Sequence, residues 1–426
     1  MEQAASEIHR LTDHLFRHES GKLVSVLTKI FGTENLETAE DVVQDTLLQA
    51  MHVWKLKGIP ESPSAWLFRA AKNRAIDIIR RNKHSVQFDF SDSGRILLTS
   101  EYSLSATMDA LWNDELIKDD MLRMMFACCH PEISVENQIT LILKTLCGFS
   151  TAEIARAFLT PEDTVSKRLY RTKEFFRHRK IKPEIPSVDE LKNRTESVLN
   201  SIYLLFNEGY NSTHPEQLIR KNLMDEAMLL CRLLTENGNT QTPETFALMA
   251  LMCYHSARTD SRMTSDGEII LLPEQDRSKW NFNLVQEGNK YLNKAAFGNS
   301  ISTYHIEAAI AYEHCSAKNF KLTDWIRILQ LYEWLCKISP SPVTELNKSI
   351  AVMQVHGPES AMKSVMEIPG RKKLESFYLY HSLLGEINSR MLKKTEAKKN
   401  FEDAIRLTNS EPEKKMLKNK INALLK

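Results

Sequence analysis

This chain is poor in the two residues that interrupt helices. Its 426 residues include 13 glycines and 14 prolines, about half the share usual in a globular protein. Sandwiches, barrels and doubly wound sheets turn every few residues and need such breakers. The chain is therefore expected to be all-α, with long helices and short connections. At 42% hydrophobic and 26% charged, it can build sizeable cores, and disorder over most of its length is excluded. Its length corresponds to about three domains.

Several function classes drop out early. No apolar run is long enough to span a membrane, and the polar start MEQAASEIHR lacks a signal-peptide core. Seven scattered cysteines, an odd number, make no disulfide framework, so a reducing cytoplasm is expected. No phosphate-cradling glycine loop, nucleophile elbow or dinucleotide fingerprint occurs, so neither catalysis nor a cofactor is expected. Cys128-Cys129-His130 invites a zinc reading. Adjacent cysteines diverge on a helix, however, and no second ligand pair follows at finger spacing, which favours core packing. His14 and His18 share a helix face, but Glu19 breaks the metalloprotease order, and they are read as surface residues.

The net charge of +1 hides an alternation. Residues 1–50 carry 4 basic and 9 acidic side chains, and residues 51–100 carry 9 and 4. Residues 101–150 carry 3 and 8, and residues 151–183 carry 9 and 4. Two basic segments separated by an acidic one suit a polyanion gripped at two places.

Apolar spacing predicts helices over 7–31, 37–55 and 65–82, with a Gly- and Pro-containing loop at 57–64. A Ser- and Asp-rich linker covers 84–113, and helices resume at 114–129, 135–147, 151–158 and 161–180. The basic helix 65–82 buries Leu67, Ala71, Ala75, Ile78 and Ile79, with Trp66 and Phe68 at its start. Its other face offers Arg69, Lys72, Asn73, Arg80 and Arg81, with Asp77 its only acid. Arginine and lysine neutralise phosphates, and asparagine can pair twice with a base edge.

Residues 151–177 read as a helix-turn-helix. Ile154, Ala155 and Phe158 face inward, Leu159-Thr160 make the turn, and Thr160, Pro161 and Asp163 form an acidic variant of the capping box. The second helix buries Val165, Leu169 and Phe176 and presents Thr164, Ser166, Lys167, Arg168, Arg171 and Lys173. A recognition helix reads the major groove with such a face.

The order of acidic helix, PSAWLFRAAKNRAIDIIRRNK, polar linker and EIARAFLTPEDTVSKRLYRTK resembles a bacterial sigma-70 factor of the extracytoplasmic-function (ECF) type over residues 7–180. CCHPEIS, TLCGFSTAEIARAFL and the long C-terminal half further resemble the ECF subgroup with a tetratricopeptide-containing extension. The resemblance implies that Asp41, Gln44 and Asp45 dock on the β′ clamp helices of core RNA polymerase, and that the second module meets the β flap. It implies that loop 57–64 captures a flipped base of the −10 element, beside a strand contacted by Arg69, Lys72, Asn73, Arg74, Arg80 and Arg81. It implies that residues 161–173 read the −35 element of promoter DNA, and that the acidic linker threads the polymerase channels. Leu159 departs from the glycine common in such turns, so the turn is expected to avoid a positive φ.

The expected division is 1–83 (region 2), 84–113 (linker), 114–183 (region 4), 184–300 (helical extension) and 301–426 (tetratricopeptide-like repeats). In the extension, helices are expected at 191–206, 218–236, 243–258 and 278–297, interrupted by TSDGEIILLPEQDR (264–277), a turn with a short apolar run that suits a small hairpin. Its acids, Asp266, Glu268, Glu274 and Asp276, match no calcium loop. His381, Leu384, Gly385, Ala397, Phe401 and Ala404 fall at tetratricopeptide offsets, Tyr332, Leu335 and Pro340 keep part of that frame, and 346–366 reads as a helix pair. Such repeats bind partner proteins on a concave face. The rival reading is a helix-turn-helix activator with a tetratricopeptide partner-binding domain, which needs neither polymerase nor the basic helix 65–82.

Overall fold

The computed structural model describes residues 2–82, 114–158, 160–179, 181, 184, 188–212, 218–298 and 300–424. The linker 84–113 and Leu159 lie outside them, as do the side chains of His14 and His18. The described residues are helical, with one isolated antiparallel bridge between Met263 and Ile269. They form two compact units, Met1–Ile202 and Tyr203–Lys426.

The first unit begins with α1 (Glu2–Phe31), α2 (Leu36–Lys57) and α3 (Pro63–Asn82). Trp54 of α2 joins all three, its ring 5.4 Å from Phe16 and 5.6 Å from Trp66. On α3, Leu67, Ala71, Ala75 and Ile79 are buried as their spacing predicts, and Ile76 joins them while Ile78 stays half-buried. Next come α4 (Asp114–Cys128), α5 (Val135–Thr145), α6 (Thr151–Ala157) and α7 (Glu162–Arg179). Of these, α4 and α5 pack directly on α1. A Cβ added to Gly21 would lie 1.9 Å from the Leu146 carbonyl oxygen, so only glycine permits that backbone approach. Lys29 closes the same junction with a 2.8 Å ion pair to buried Asp120.

The adjacent cysteines pack as core residues. Cys128 Sγ lies 3.5 Å from Thr145 Oγ1 on α5, whereas Cys129 Sγ points 3.7 Å from Ser201 Oγ on α8 (Val188–Tyr210). They face different helices, as adjacent helical residues must. Burial pushes the Cys129 thiol up to about 12, far from the thiolate that binds metal. The first part of α8 completes this unit: Arg194 donates to the Phe126 carbonyl (2.7 Å), and Ser197 and Ser201 donate to Gln138 Oε1 at 3.1 and 3.2 Å.

The helix-turn-helix is capped differently from expectation. The capping box belongs to α6, where Ser150 and Glu153 exchange hydrogen bonds. At α7 the Pro161 carbonyl accepts from Thr164 (2.9 Å) and Val165 (3.3 Å), and the helix starts at Glu162. The register is thus one residue later than predicted. Thr160, whose amide donates to the Ala155 carbonyl at 3.0 Å, stays in the turn with its hydroxyl buried and unpartnered, so it is not the cap.

The second unit contains the end of α8, then α9 (Lys221–Glu236), α10 (Pro243–Ala257) and α11 (Phe282–Ala295). Helix α10 is buried on nearly every side from Ala247 to Tyr254, and Gly288 of α11 lets its backbone meet the Tyr254 ring. The segment between α10 and α11 forms less of a hairpin than expected: the single bridge, then two short 3-10 turns at Leu272–Glu274 and Arg277–Lys279. Glu268 pairs with Lys415 at 2.5 Å, and Asp276 accepts from Ser278 at 2.7 Å.

Stacked helices follow: α12 (Thr303–Ser316), α13 (Trp325–Ile338), α14 (Pro342–Met366), α15 (Tyr378–Arg390), α16 (Lys394–Leu407) and α17 (Glu411–Leu424). Gly357, at φ 84°, and Pro358 break α14 into the expected pair. The residues at the expected tetratricopeptide offsets meet between α15 and α16. Ala397, Phe401 and Ala404 are buried, and a Cβ on Gly385 would lie 2.5 Å from the Phe401 ring.

Candidate nucleic-acid interface

The apolar stripe of α3 fixes which side chains remain outside. Arg69, Asn73, Arg80 and Arg81 are exposed, and Lys72 and Arg74 are half-buried. Arg80 lies 3.9 Å from Asp77, a weak exposed pair. Arg74 instead reaches back to α2, donating to Asp45 Oδ2 at 2.8 Å. This contact joins a predicted DNA-binding residue to a predicted polymerase-docking one.

On α2, Asp41, Gln44 and Asp45 are exposed along one face, as the sequence reading requires. The same face continues into Leu48 and Met51, which are 57% and 48% exposed. A ridge of two acids, an amide and two bare apolar side chains has the composition of a protein-docking surface. Leu48 and Met51, absent from the sequence expectation, continue the helical spacing from Asp41. Beyond α2, Gly58 takes φ 82° and turns the chain into the loop 57–64, on which Ile59 is 45% exposed.

On α7, burial of Val165, Leu169 and Phe176 leaves Ser166, Lys167 and Arg171 exposed, with Thr164 and Arg168 half-buried. Among the described residues, Lys167, Arg168 and Arg171 have no acidic partner. Lys173 departs from expectation. Its ammonium donates to Glu40 of α2 at 2.7 Å, and the two side chains are only 16% and 15% exposed. One turn on, Arg177 lies 3.2 Å from Glu37, and Thr33 donates to the Ile181 carbonyl. The acidic start of α2, which also complements its helix dipole, thus holds the C-terminal half of α7. Among the described residues, the cations of α7 without an acidic partner, Lys167, Arg168 and Arg171, all precede Lys173.

Two basic helices, each fixed by its apolar stripe, with one of them the second helix of a helix-turn-helix, define a helical nucleic-acid-binding protein. Residues 15–85 match the sigma-70 region 2 family and residues 123–176 the sigma-70 region 4 family. Residues 194–296 match a family of unknown function, DUF6596. The chain is 30% identical over 140 residues to the ECF RNA polymerase sigma factor SigL of Mycobacterium tuberculosis, which covers 32% of this chain and 72% of that protein. It is 33% identical over 379 residues to the uncharacterized protein R00370 of Rhizobium meliloti, covering 89% of this chain and 88% of that one. No solved structure matches. The chain belongs to the sigma-70 family, in its ECF type, with a C-terminal extension that includes the DUF6596 region. Its role therefore lies in transcription initiation.

Proposed function

We propose that this protein binds core RNA polymerase, directs it to two-element promoters and stabilises the melted strand, while its helical extension regulates or supports that work. The observation that carries this reading is the placement of the outward-facing cations. They sit on α3 and on the first half of α7, inside the stretches that match regions 2 and 4.

In this reading the ridge Asp41-Gln44-Asp45, with Leu48 and Met51, docks on the β′ clamp helices, and residues 114–183 meet the β flap. Arg69, Lys72, Arg74, Arg80 and Arg81 bind phosphates of the −10 strand, and Asn73 reads a base edge. Extracting a base costs a few kcal/mol of stacking. The loop 57–64 and the phosphate contacts offset that cost. Thr164, Ser166, Lys167, Arg168 and Arg171 read the −35 duplex, and Lys173 joins them once Glu40 releases it. A partner protein on the stacked C-terminal helices completes the proposal.

The test is transcription of fragmented host DNA by purified core polymerase, with and without the protein. New transcripts sharing two upstream elements are expected. Duplex binding without binding to core polymerase would instead favour the activator reading.

A further inference from the structure

Among the described residues of the second unit, three guanidinium groups lie together without a carboxylate partner. Arg258, at the end of α10, is 9% exposed. Its guanidinium sits 5.3 Å from the centre of the Trp280 ring, and that of Arg277 sits 4.6 Å from the same ring. Arg262, one turn after Arg258, lies 3.9 Å from the centre of the Tyr210 ring, and Tyr210 in turn packs 4.5 Å from His255. The neutral contacts are few. Arg262 donates to the Tyr210 carbonyl, and Arg277 donates to the carbonyls of His314 and Ala317, all at 2.5 Å. Arg258 has only a long 3.4 Å contact to Gln275 Oε1.

Acids nearby are engaged elsewhere. Asp260 pairs with Lys221, Asp276 accepts from Ser278, and Glu413 accepts from Tyr378, whose hydroxyl neighbours Arg262. A buried guanidinium without a counter-charge is strongly unfavourable.

The polar atoms left over are mostly donors. Arg258 Nε, Arg277 Nη2 and Trp280 Nε1 are buried donors without partners; the Nδ1 atoms of His255 and His314 are also buried and unpartnered, and each donates in the tautomer that protonates it. Trp280 is itself 6% exposed. Burial, helped by the neighbouring arginines, holds both imidazoles down at about 3, so each is neutral at pH 7 and has one N–H to give.

We propose that Arg258, Arg277 and Trp280, flanked by Arg262, His255 and His314, form a binding site for the phosphoryl group of a small molecule. Guanidinium forks match tetrahedral oxyanions. Three of them suit a dianion better than a carboxylate, which a single arginine satisfies. Six of the residues involved, Tyr210, His255, Arg258, Arg262, Arg277 and Trp280, fall within the DUF6596 match at 194–296. The site therefore gives that region a ligand chemistry. It rests on the second unit alone and stands whether or not the promoter reading does.

The test titrates the full-length protein with inorganic phosphate and follows the Trp280 indole N–H resonance, assigned by its loss in Trp280→Phe. A saturable shift is expected, weakened about 10- to 100-fold in Arg258→Met or Arg277→Met, with acetate far weaker at equal ionic strength. Circular dichroism establishes that each variant is folded. Trp280→Phe, which keeps an aromatic ring and removes one donor, provides a milder variant, read by the phosphate-induced rise in melting temperature. That rise should shrink relative to the parent. No saturable shift, or equal response in parent and folded variants (an adventitious ion only), would overturn the proposal. Acetate binding as tightly as phosphate would overturn the phosphoryl assignment.

Discussion

Glu40→Gln should strengthen binding of a −35 duplex even though it alters no DNA-facing residue. Lys173 cannot meet a phosphate while it holds Glu40 at 2.7 Å. The pair is well shielded, with exposures of 16% and 15%, so it exceeds the 0.2–1 kcal/mol range of exposed pairs. A charge-assisted hydrogen bond of this kind contributes about 1–2 kcal/mol net. Removing the carboxylate charge returns that energy to the DNA complex, a gain of about 5- to 30-fold in affinity. One added phosphate contact should also steepen the slope of log K against log salt by about 0.9. The assay is fluorescence anisotropy of the full-length protein on a promoter duplex obtained from the transcription experiment, at several salt concentrations. Lys173→Gln supplies the opposite sign: it also frees the α2 acid but removes the cation, so affinity should not rise. Equal affinity and slope in Glu40→Gln and the parent would refute the latch.

Asn73→Ala should leave binding to core polymerase unchanged and reduce open-complex formation, measured by permanganate reactivity of the −10 strand. Loss of core binding would count against the assigned role. Gly385→Val should destabilise the second unit by about 1–3 kcal/mol, since its Cβ would fall 2.5 Å from the Phe401 ring; an unchanged urea midpoint would show that α15 and α16 separate freely. His255 and His314, held down at about 3 by burial, bind fewer protons folded than unfolded between about pH 3 and 6.5. Stability must therefore fall as pH drops through that window. Glu307, raised to about 7 by burial, acts oppositely: its contribution is present below about pH 4.5 and is lost as pH rises through 7. Replacing both histidines with glutamine should flatten the acid limb of a melting-temperature profile. Ending the chain at residue 183 should destabilise the first unit by about 5 kcal/mol relative to ending it at 202, because Val198, Leu199 and Ile202 are at most 2% exposed. Chemical denaturation of the two fragments measures this difference.

Local rules made much of this legible. The stripe Leu67-Ala71-Ala75-Ile79 oriented α3, and Val165-Leu169-Phe176 oriented α7, because burial periodicity is written within each helix. What escaped depends on residues distant in the chain. Lys173 has the spacing of an outward cation, and nothing local reveals Glu40, which a different helix brings to it. The capping register slipped by one because Thr-Pro-Glu-Asp supports two starts, and the turn settled the choice through the Ala155 carbonyl. In the segment 264–277 the acids drew attention, yet Arg277 and the flanking Arg258 and Arg262 carry the chemistry. The i,i+4 spacing of Arg258 and Arg262 was visible, but the lack of acidic partners among the described residues became visible only once the fold assembled all three arginines.

The extension is not a module that starts where region 4 stops. Helix α8 runs unbroken from Val188 to Tyr210, yet the compact units divide inside it, after Ile202. Its first turns supply partners to groups the first unit has already buried: Arg194 to the Phe126 carbonyl, Ser197 and Ser201 to Gln138, Ser201 to Cys129. Gln138 is 2% exposed, and its side-chain oxygen would lose both hydroxyl donors without this helix. Leaving buried polar groups unmet costs about 1–3 kcal/mol each. A chain ending after region 4 therefore lacks part of its own core. Failure of such a truncation to support transcription would report a damaged first unit, not the loss of regulation. The role of the extension must be read from a cut after Ile202, where the first unit keeps its hydrogen bonds and only the second is removed.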